Sequence, residues 1–377
     1  MTTEGTIASV TLLPTPTEQP MRETHKAPKT DKARSHKPDG TRAAGCANDM
    51  AHERGSRSNR SLEPETSTRS HGKHGRQRSR LPEWFRVPLP AGERYRELKR
   101  SLRGLGLATV CEEARCPNLA ECWSSGTATL MILGDVCTRG CRFCAVKTGN
   151  PRGKLNTNEP ESAALAVEAM ARESQVSYIV ITSVDRDDME DLGAGHYAGC
   201  IEAVRRRMPE IGIEVLTPDF QGRREAIRAI ARARPDVFAH NIETVSRLHR
   251  RVRDVRASYR QSLSVLRMAL EEGISLTKSG LMVGHGESKE ELLEAMADLR
   301  EAGTELLTIG QYLQPTARHL PVERIWTPRE LDELASEGKR MGFLHVTSGP
   351  LVRSSYRAGE HFKDAIVSRS PTRRGGP

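Results

Sequence analysis

Short apolar runs alternate with helix-like stretches six times in this chain, and the alternation limits the folds open to it. The runs are rich in β-forming residues and occupy 127–137, 176–185, 211–220, 235–244, 274–284 and 305–315. Strand followed by helix, repeated, is the pattern of a parallel sheet, which closes into a doubly wound sheet or a barrel. Six units are too few for the complete eightfold barrel, so we predict an α/β fold of the partial (β/α)6 TIM type.

Polar side chains gather around these apolar runs, and this favours the barrel. The residues are Thr182, Ser183, Asp185, Asn241, Glu243, Lys278, Ser279, Gln311 and Gln314. In a barrel the carboxyl ends of the strands share one face, and active sites are built on that face. We therefore expect these side chains to lie at the ends of their strands and to converge there.

The first 80 residues differ in composition from the rest of the chain. They contain no Phe, Trp or Tyr and supply +6 of the net charge of +9. A segment without apolar periodicity cannot bury enough surface to offset its conformational entropy, so we predict a disordered basic tail over residues 1–80. Because the tail lacks the aromatic side chains on which bases stack, we predict no nucleic-acid partner.

Targeting signals are weak. No window approaches 18 consecutive apolar residues, so we predict no membrane partner, and the N-terminus lacks the basic start and apolar run of a secretory signal. We therefore predict a cytoplasmic location. In a reducing compartment, clustered cysteines indicate a metal centre rather than disulfides.

Six of the eight cysteines fall within 34 residues, in two groups of three. The first group is Cys111, Cys116 and Cys122, and the second is Cys137, Cys141 and Cys144. Each group is one ligand short of the four that complete a zinc site or a [4Fe-4S] cluster. In the second group the short spacing, directly after a strand, lets three thiolates converge and leaves one metal corner open to a substrate. A zinc knuckle with a fourth ligand from elsewhere is the alternative.

With Phe143 before its last cysteine, the second group resembles the Cys-x-x-x-Cys-x-aromatic-Cys motif of the radical S-adenosylmethionine (SAM) superfamily. The resemblance implies that these three cysteines hold a [4Fe-4S] cluster, which SAM completes and which cleaves SAM to a 5'-deoxyadenosyl radical. The candidate SAM contacts are Phe143, Asn241, Glu243, Lys278 and Ser279.

The first group sits upstream of four further motifs, and together they resemble the lipoyl synthase family over about residues 81–365. The motifs are TSVDRDD at 182–188, NIET at 241–244, GQYLQP at 310–315 and RSSYR at 353–357. The resemblance implies a sulfurtransferase that inserts two sulfur atoms at C6 and C8 of an octanoyl group on a carrier-domain lysine. It also implies that Cys111, Cys116 and Cys122 hold an auxiliary [4Fe-4S] cluster, the sulfur donor, with Ser355 as its fourth ligand.

The resemblance also implies a division of the chain and a set of partners. After the tail come an N-terminal extension at 81–128, the barrel at 129–318, a C-terminal extension at 319–365 and a disordered end at 366–377. The implied partners are octanoylated lipoyl carrier domains, as in 2-oxoacid dehydrogenase E2 subunits and the glycine cleavage H protein. An electron donor such as flavodoxin or ferredoxin and an iron-sulfur carrier protein complete the set.

Other readings of the motifs remain open at this point. They are a biotin synthase-like sulfur inserter, a tRNA methylthiotransferase, and a nucleic-acid-binding protein with two zinc knuckles. Against the methylthiotransferase, only about 60 residues follow position 315, too few for a further RNA-binding domain. Cys46 and Cys200 are not needed as ligands, and Arg139 and Arg142 are predicted to be structural or to face a partner.

Overall fold

The computed structural model describes residues 81–86, 118, 121–122 and 126–369. Nine strands lie within these ranges: β1 (Thr127–Ile132), β2 (Val136–Cys137), β3 (Lys147–Thr148), β4 (Tyr178–Ser183), β5 (Gly212–Leu216), β6 (Val237–Ala239), β7 (Thr277–Val283), β8 (Leu306–Gln311) and β9 (His345–Gly349). The predicted tail at 1–80 lies outside the described residues, and so does a helix-like stretch of the sequence at 93–107. Of the disordered end predicted at 366–377, residues 370–377 also lie outside them, whereas residues 366–369 are described and helical.

The same ranges contain eight α-helices: α1 (Glu159–Ser174), α2 (Ala194–Arg207), α3 (Arg224–Arg232), α4 (His249–Val252), α5 (Tyr259–Glu271), α6 (Lys289–Glu301), α7 (Pro328–Arg340) and α8 (Ala358–Arg369). Short 3-10 turns occupy Glu83–Phe85, Phe220–Gly222 and Ser246–Leu248. None of the helices in the described ranges is both long and apolar enough to cross a membrane.

Seven of the strands form one parallel sheet in the order β1-β4-β5-β6-β7-β8-β9, and β2 pairs with β3 separately. Each strand of the large sheet therefore lies beside the next one along the chain. A doubly wound sheet reverses its strand order at a switch point, whereas a barrel does not. The predicted α/β class and partial barrel are confirmed. The sheet has a seventh strand, because β9 joins it from the region predicted as a C-terminal extension.

The two faces of the sheet bury different partners. Ile179 and Ile181 of β4 belong to the main core cluster with residues of α1 and α2. The alternate residues Tyr178 and Val180 pack instead with Ala358 of α8. Because successive side chains of a strand point to opposite faces, α1 and α2 cover the outside while α8 lies against the interior face.

The contacts of α8 show how closely it fits this interior face. A Cβ on Gly359 would lie 2.8 Å from the Cβ of Tyr178, and the Gly359 N–H donates to Thr127 Oγ1 at 3.3 Å. Two residues later, His361 Nε2 lies 2.9 Å from Thr347 Oγ1. The final helix is thus tied to β1, β4 and β9, which include both edges of the sheet.

A buried ion pair crosses the interior face between two strands. Lys278 Nζ of β7 lies 2.8 Å and 3.0 Å from the two carboxylate oxygens of Glu214 in β5, and Tyr178 donates its hydroxyl proton to Glu214 Oε2 at 3.2 Å. The prediction that Lys278 and Ser279 lie at the carboxyl end of their strand is wrong, because β7 continues to Val283. Polar residues inside a strand interrupt the apolar run just as polar residues after its end do, so the two positions look alike in the sequence.

We predict that replacing Lys278 by Met lowers the free energy of unfolding by about 3–5 kcal/mol, since it leaves the Glu214 carboxylate buried without its cation. The double variant Lys278→Met/Glu214→Gln removes both charges and keeps an acceptor for Tyr178, so it should recover most of that loss. Urea unfolding of the anaerobic proteins measures both. An equal loss in the single and the double variant would contradict a role for charge pairing.

Candidate active site

The loop that holds the second cysteine group, residues 137–144, is referred to below as the cysteine loop. It is preceded by a turn at Leu133, where hydrogen bonds hold both the N–H and the carbonyl of this residue. The Leu133 N–H donates to Glu159 Oε2 at 2.7 Å, and its carbonyl accepts from Arg186 Nη1 at 3.2 Å. Leu133 has φ +68°, a left-handed conformation that is uncommon for leucine. The chain then forms the short β2, so Cys137 ends this second strand rather than following β1 directly as predicted.

The structure brings the three thiols of the cysteine loop together with backbone donors. Cys137 Sγ accepts from the N–H groups of Arg139 and Asp185, each at 3.4 Å. Cys141 Sγ accepts from the Asp254 N–H at 3.4 Å. Such N–H···S contacts favour the thiolate form, and they come here from the loop itself, from the end of β4 and from the segment after α4.

Burial opposes the effect of these donors, because it disfavours the charged thiolate form. It raises the pKa of Cys137 to about 12, with a further rise from the nearby Asp185 carboxylate. Burial likewise raises the pKa of Cys144 to about 11, and Cys141 adds to that rise. The thiols are therefore protonated at neutral pH, and a metal that binds them must displace their protons.

A buried arginine holds the loop against the ends of two strands. The guanidinium of Arg139 lies 3.1 Å from Asp185 Oδ1, 2.9 Å from Asp187 Oδ1 and 2.7 Å from Asp219 Oδ1. Burial opposes ionisation of Asp187, but the hydrogen bonds from Arg139, Gln221 and Thr138 and the charge of Arg139 together outweigh it and lower the pKa of Asp187 to about 2. Burial raises the pKa of Asp185 to about 6, although Arg139 acts in the opposite direction. The contacts of Arg139 agree with the structural role predicted for it.

The Asp185 carboxylate also reaches the cysteines, since its Oδ2 lies 3.6 Å from Cys137 Sγ. Asp187 accepts from the hydroxyl of Thr138 at 2.8 Å. The sequence predicted Asp185 on the carboxyl face, but it assigned no specific role to Asp185 or to Asp187 of the TSVDRDD motif. The available signal for these aspartates was that they follow a strand and that the cysteine loop contains a cation, Arg139.

Two of the predicted SAM contacts, Asn241 and Glu243, lie beside the cysteine loop. Asn241 donates its amide N–H to Glu243 Oε1 at 3.2 Å and to Ser354 Oγ at 3.0 Å. The Glu243 carboxylate raises the pKa of Cys144, as Cys141 does. Burial raises the pKa of Glu243 itself. Asn241 Oδ1 is buried without a hydrogen-bond partner among the described residues, which is rare unless a ligand supplies one.

The other predicted SAM contacts lie apart from this group or make protein contacts. Phe143 packs against the core cluster that contains Ile242. Ser279 Oγ accepts from the Ile242 N–H at 3.2 Å, and Lys278 is paired with Glu214. Arg253 was missed by the sequence analysis; it is buried and donates to the Asn241 carbonyl at 2.7 Å.

Of the first cysteine group, Cys122 is described and buried, while Cys111 and Cys116 lie outside the described residues. The segment around Cys122 meets the C-terminal RSSY motif. Tyr356 donates its hydroxyl proton to Glu121 Oε1 at 2.6 Å. Burial raises the pKa of Tyr356 to about 12, and Cys122 contributes to the rise. Residues more than 200 positions apart in sequence are therefore neighbours here.

The C-terminal segment approaches this site across the end of β8, and a glycine allows the crossing. A Cβ on Gly310 would lie 2.0 Å from the Val352 carbonyl oxygen. Arg353 Nη1 donates to that same oxygen at 2.7 Å. Beyond it, Ser354 bonds to Asn241, whereas the Ser355 hydroxyl forms no hydrogen bond with any other described residue.

Two family profiles match the chain. The profile of the radical SAM superfamily matches residues 131–299, which include the second cysteine group. The profile described as the N-terminal domain of lipoyl synthase of the radical SAM family matches residues 24–116, which include Cys111 and Cys116.

Curated relatives resemble the chain over most of its length. The lipoyl synthase of Anaeromyxobacter sp. (strain Fw109-5) is 53% identical over 295 residues, which are 78% of this chain and 99% of the relative. The lipoyl synthase of Rubrobacter xylanophilus is 54% identical over 78% of this chain and 88% of the relative. The chloroplastic lipoyl synthase of Arabidopsis thaliana is 52% identical over 77% of this chain and 74% of the relative.

We predict that Arg139→Met lowers the iron bound after anaerobic reconstitution, because three carboxylates are left beside the cysteine loop without their cation. Iron per chain, measured by elemental analysis, should fall by about half if one of two four-iron clusters is lost. Arg142→Gln, an exposed position in the same loop, is the matched control and should retain its iron. Equal iron in the two variants would contradict the role given to Arg139.

We predict that Gly310→Ala displaces the segment at 352–355, because the added methyl meets the Val352 carbonyl and a backbone cannot yield as a flexible side chain does. Iron content should again fall by about half, this time through loss of the cluster at the first cysteine group. Gly199→Ala in α2, where a Cβ meets nothing nearer than 3.9 Å, is the control. Full iron in Gly310→Ala would show that the crossing does not position that site.

Proposed function

The chain belongs to the lipoyl synthase family of radical SAM enzymes, and from this premise we propose how its residues divide the reaction. The enzyme inserts sulfur at C6 and C8 of an octanoyl group on a lipoyl carrier domain, and it uses [4Fe-4S] clusters and SAM. Those carbons carry no acidic proton, so general bases cannot activate them. The residue roles below are assigned from the contacts on the carboxyl face of the sheet.

Cys137, Cys141 and Cys144 are the ligands of the cluster that binds SAM. Three thiols in one loop, with backbone N–H donors at Cys137 and Cys141, fit a four-iron cluster that keeps one iron open. When bound, that cluster supplies the electron that cleaves SAM and yields the radical that removes hydrogen from carbon. The loop holds these ligands in place through Arg139 and its aspartates.

Asn241, Glu243 and Phe143 contact SAM in this assignment. Asn241 offers a buried amide oxygen that has no hydrogen-bond partner among the described residues, which suits a donor such as an amino or hydroxyl group of the ligand. Glu243 lies beside the same amide and near the cysteines. Lys278 and Ser279 bind Glu214 and the Ile242 peptide, so we assign them to the support of the sheet.

Cys111, Cys116, Cys122 and Ser355 hold the auxiliary cluster that gives up sulfur. The observation that carries this assignment is the contact between Glu121 and Tyr356, which places the neighbours of Cys122 and Ser355 side by side. The Ser355 hydroxyl has no other described partner. A hard oxygen ligand on one iron dissociates more readily than a thiolate, which suits a cluster that the reaction dismantles.

The partners follow from the reaction. The substrates are octanoylated carrier domains, which we assign to 2-oxoacid dehydrogenase E2 subunits and the glycine cleavage H protein. An electron donor such as flavodoxin or ferredoxin reduces the cluster at the cysteine loop. An iron-sulfur carrier protein rebuilds the auxiliary cluster after each use.

A direct assay tests the function. Anaerobically reconstituted protein is incubated with dithionite, SAM and an octanoyl-lysine peptide, and mass spectrometry follows the dithiolane product and 5'-deoxyadenosine. Both products are expected. Deoxyadenosine without dithiolane would contradict lipoyl synthesis while leaving SAM cleavage in place.

The two adjacent serines of RSSY form a matched pair for testing the ligand. We predict that Ser355→Ala forms deoxyadenosine at a rate within about twofold of wild type and loses about tenfold or more of the dithiolane product. Ser354→Ala removes the acceptor for Asn241 and should change both products in proportion. Unchanged dithiolane yield in Ser355→Ala, or an altered product ratio in Ser354→Ala alone, would show that the assignment of Ser355 as the ligand is wrong.

A further inference from the structure

The cysteine loop has an exposed side that the proposed chemistry does not use. Arg139 and Cys141 turn toward the protein, whereas Gly140 and Arg142 are exposed. On this side the Asp254 N–H contacts Cys141 Sγ at 3.4 Å, and the next residue along the chain is Val255. The protein surface is therefore one or two residues away from a proposed cluster ligand.

Four cations lie on the segments that form this side. The Arg142 N–H donates to the Val252 carbonyl at 2.9 Å, and the Arg142 carbonyl accepts from the Leu320 N–H at 3.2 Å. The loop is thus flanked by α4 and by the turn at 316–320. The exposed cations of these segments and of β3 that form no ion pair with another described residue, called the loop cations below, are Arg142, Lys147, Arg250 and Arg318.

The loop cations differ from their neighbours in having no carboxylate of their own. Arg251 pairs with Glu323 at 2.5 Å, and Arg256 pairs with Asp254 at 2.8 Å. No ion pair joins any of the four loop cations to another residue in the described part of the chain. Their charge is therefore not neutralised within that part, and it is available to an acidic partner.

An exposed apolar residue, Val255, lies on the segment after α4 that contacts this side of the cysteine loop. Val255 is 91% exposed, the highest exposure of any large hydrophobic residue in the described ranges. A single exposed valine is ordinary on a protein surface. Here it lies between Asp254, whose N–H donates to Cys141 Sγ, and Arg256, which pairs with the Asp254 carboxylate. An apolar contact ringed by polar and charged groups is the usual anatomy of a protein interface.

We infer that the loop cations and Val255 form the docking surface for an acidic electron-transfer protein. The inference rests on the proposed function, because each SAM cleavage consumes one electron and the donor's flavin or iron-sulfur centre is oxidised by one electron to supply it. Such partners meet through small interfaces that are steered by charge. A surface beside the cluster ligands shortens the path of the electron.

The octanoylated carrier is a less suitable occupant of this surface. Its lysine arm has to reach the side of the cysteines where Asn241, Glu243 and Ser354 are joined by hydrogen bonds. An electron donor has no group to insert and needs only proximity to the cluster. The two partners can therefore approach from different sides of the same loop.

Charge reversal with two reductants tests the inference. The variant Arg142→Glu/Arg250→Glu is compared with wild type, using either dithionite or an acidic flavodoxin kept reduced by its NADPH-dependent reductase. Deoxyadenosine formation is the readout. With flavodoxin at low salt, kcat/KM for the donor should fall about tenfold, and the difference should shrink at high salt. With dithionite the rate should stay within about twofold of wild type.

The matched control is Arg206→Glu/Arg232→Glu, which reverses two exposed cations of α2 and α3 that also lack an ion pair among the described residues. It should keep the wild-type response to flavodoxin. An equal loss in this control would overturn the inference in favour of net charge. An equal loss with dithionite would overturn it in favour of damage to the loop. A raised KM for an octanoylated carrier domain, with dithionite as reductant, would identify the surface as the carrier's.

The assays with dithionite and with flavodoxin also distinguish a failure of the docking surface from a failure of the proposed function. Wild-type protein that forms no deoxyadenosine with dithionite would contradict the proposed function itself. Wild-type activity with both reductants, together with an undiminished flavodoxin response in Arg142→Glu/Arg250→Glu, would contradict the docking surface alone.

Discussion

The ion pairs of Arg139 with Asp185, Asp187 and Asp219 are the interaction on which the carboxyl face of the sheet depends. One guanidinium ties the cysteine loop to the segments that follow two neighbouring strands. Removing charges from water costs free energy that the pairing only partly offsets. These ion pairs therefore position the cysteine loop more than they stabilise the fold. It sets the place of Cys137, and the thiols that follow are placed relative to it.

The other half of the face is assembled from the two ends of the described chain. Gly310 leaves room for the Val352 carbonyl to cross β8, and the segment beyond it reaches Asn241 through Ser354 and Glu121 through Tyr356. A single side chain, Asn241, thus touches both the RSSY motif and the Glu243 carboxylate that lies near the cysteines. The hydrogen bonds of Asn241 therefore connect the proposed SAM site with the segment that carries the proposed auxiliary-cluster ligand.

Periodicity and spacing predicted much of this arrangement. The alternating runs indicated the parallel sheet, and one of the helix-like stretches between them, EPESAALAVEAMARES, forms α1. The interior pair of Lys278 and Glu214 was not predictable, because the two residues are 64 positions apart and a lone lysine in a strand gives no sign of its partner. Asp185 was predicted on the carboxyl face, but its pairing with Arg139 and the contributions of Asp187 and Asp219 were missed for the same reason, since sequence spacing does not report contacts made between strands. β9 was assigned to an extension because the six strand–helix units and the family resemblance ended the predicted barrel at residue 318.

The helix α8 has a further consequence for an enzyme whose proposed sulfur source is spent in each reaction. Ser355 lies on a span of five residues, 353–357, between the Val352 crossing and the first residue of α8. Even fully extended, such a span reaches about 17 Å, and both of its ends are packed against the sheet. If Ser355 holds the auxiliary cluster as proposed, its hydroxyl would stay close to the site after iron is lost. A new cluster would then bind without refolding of the C-terminal segment.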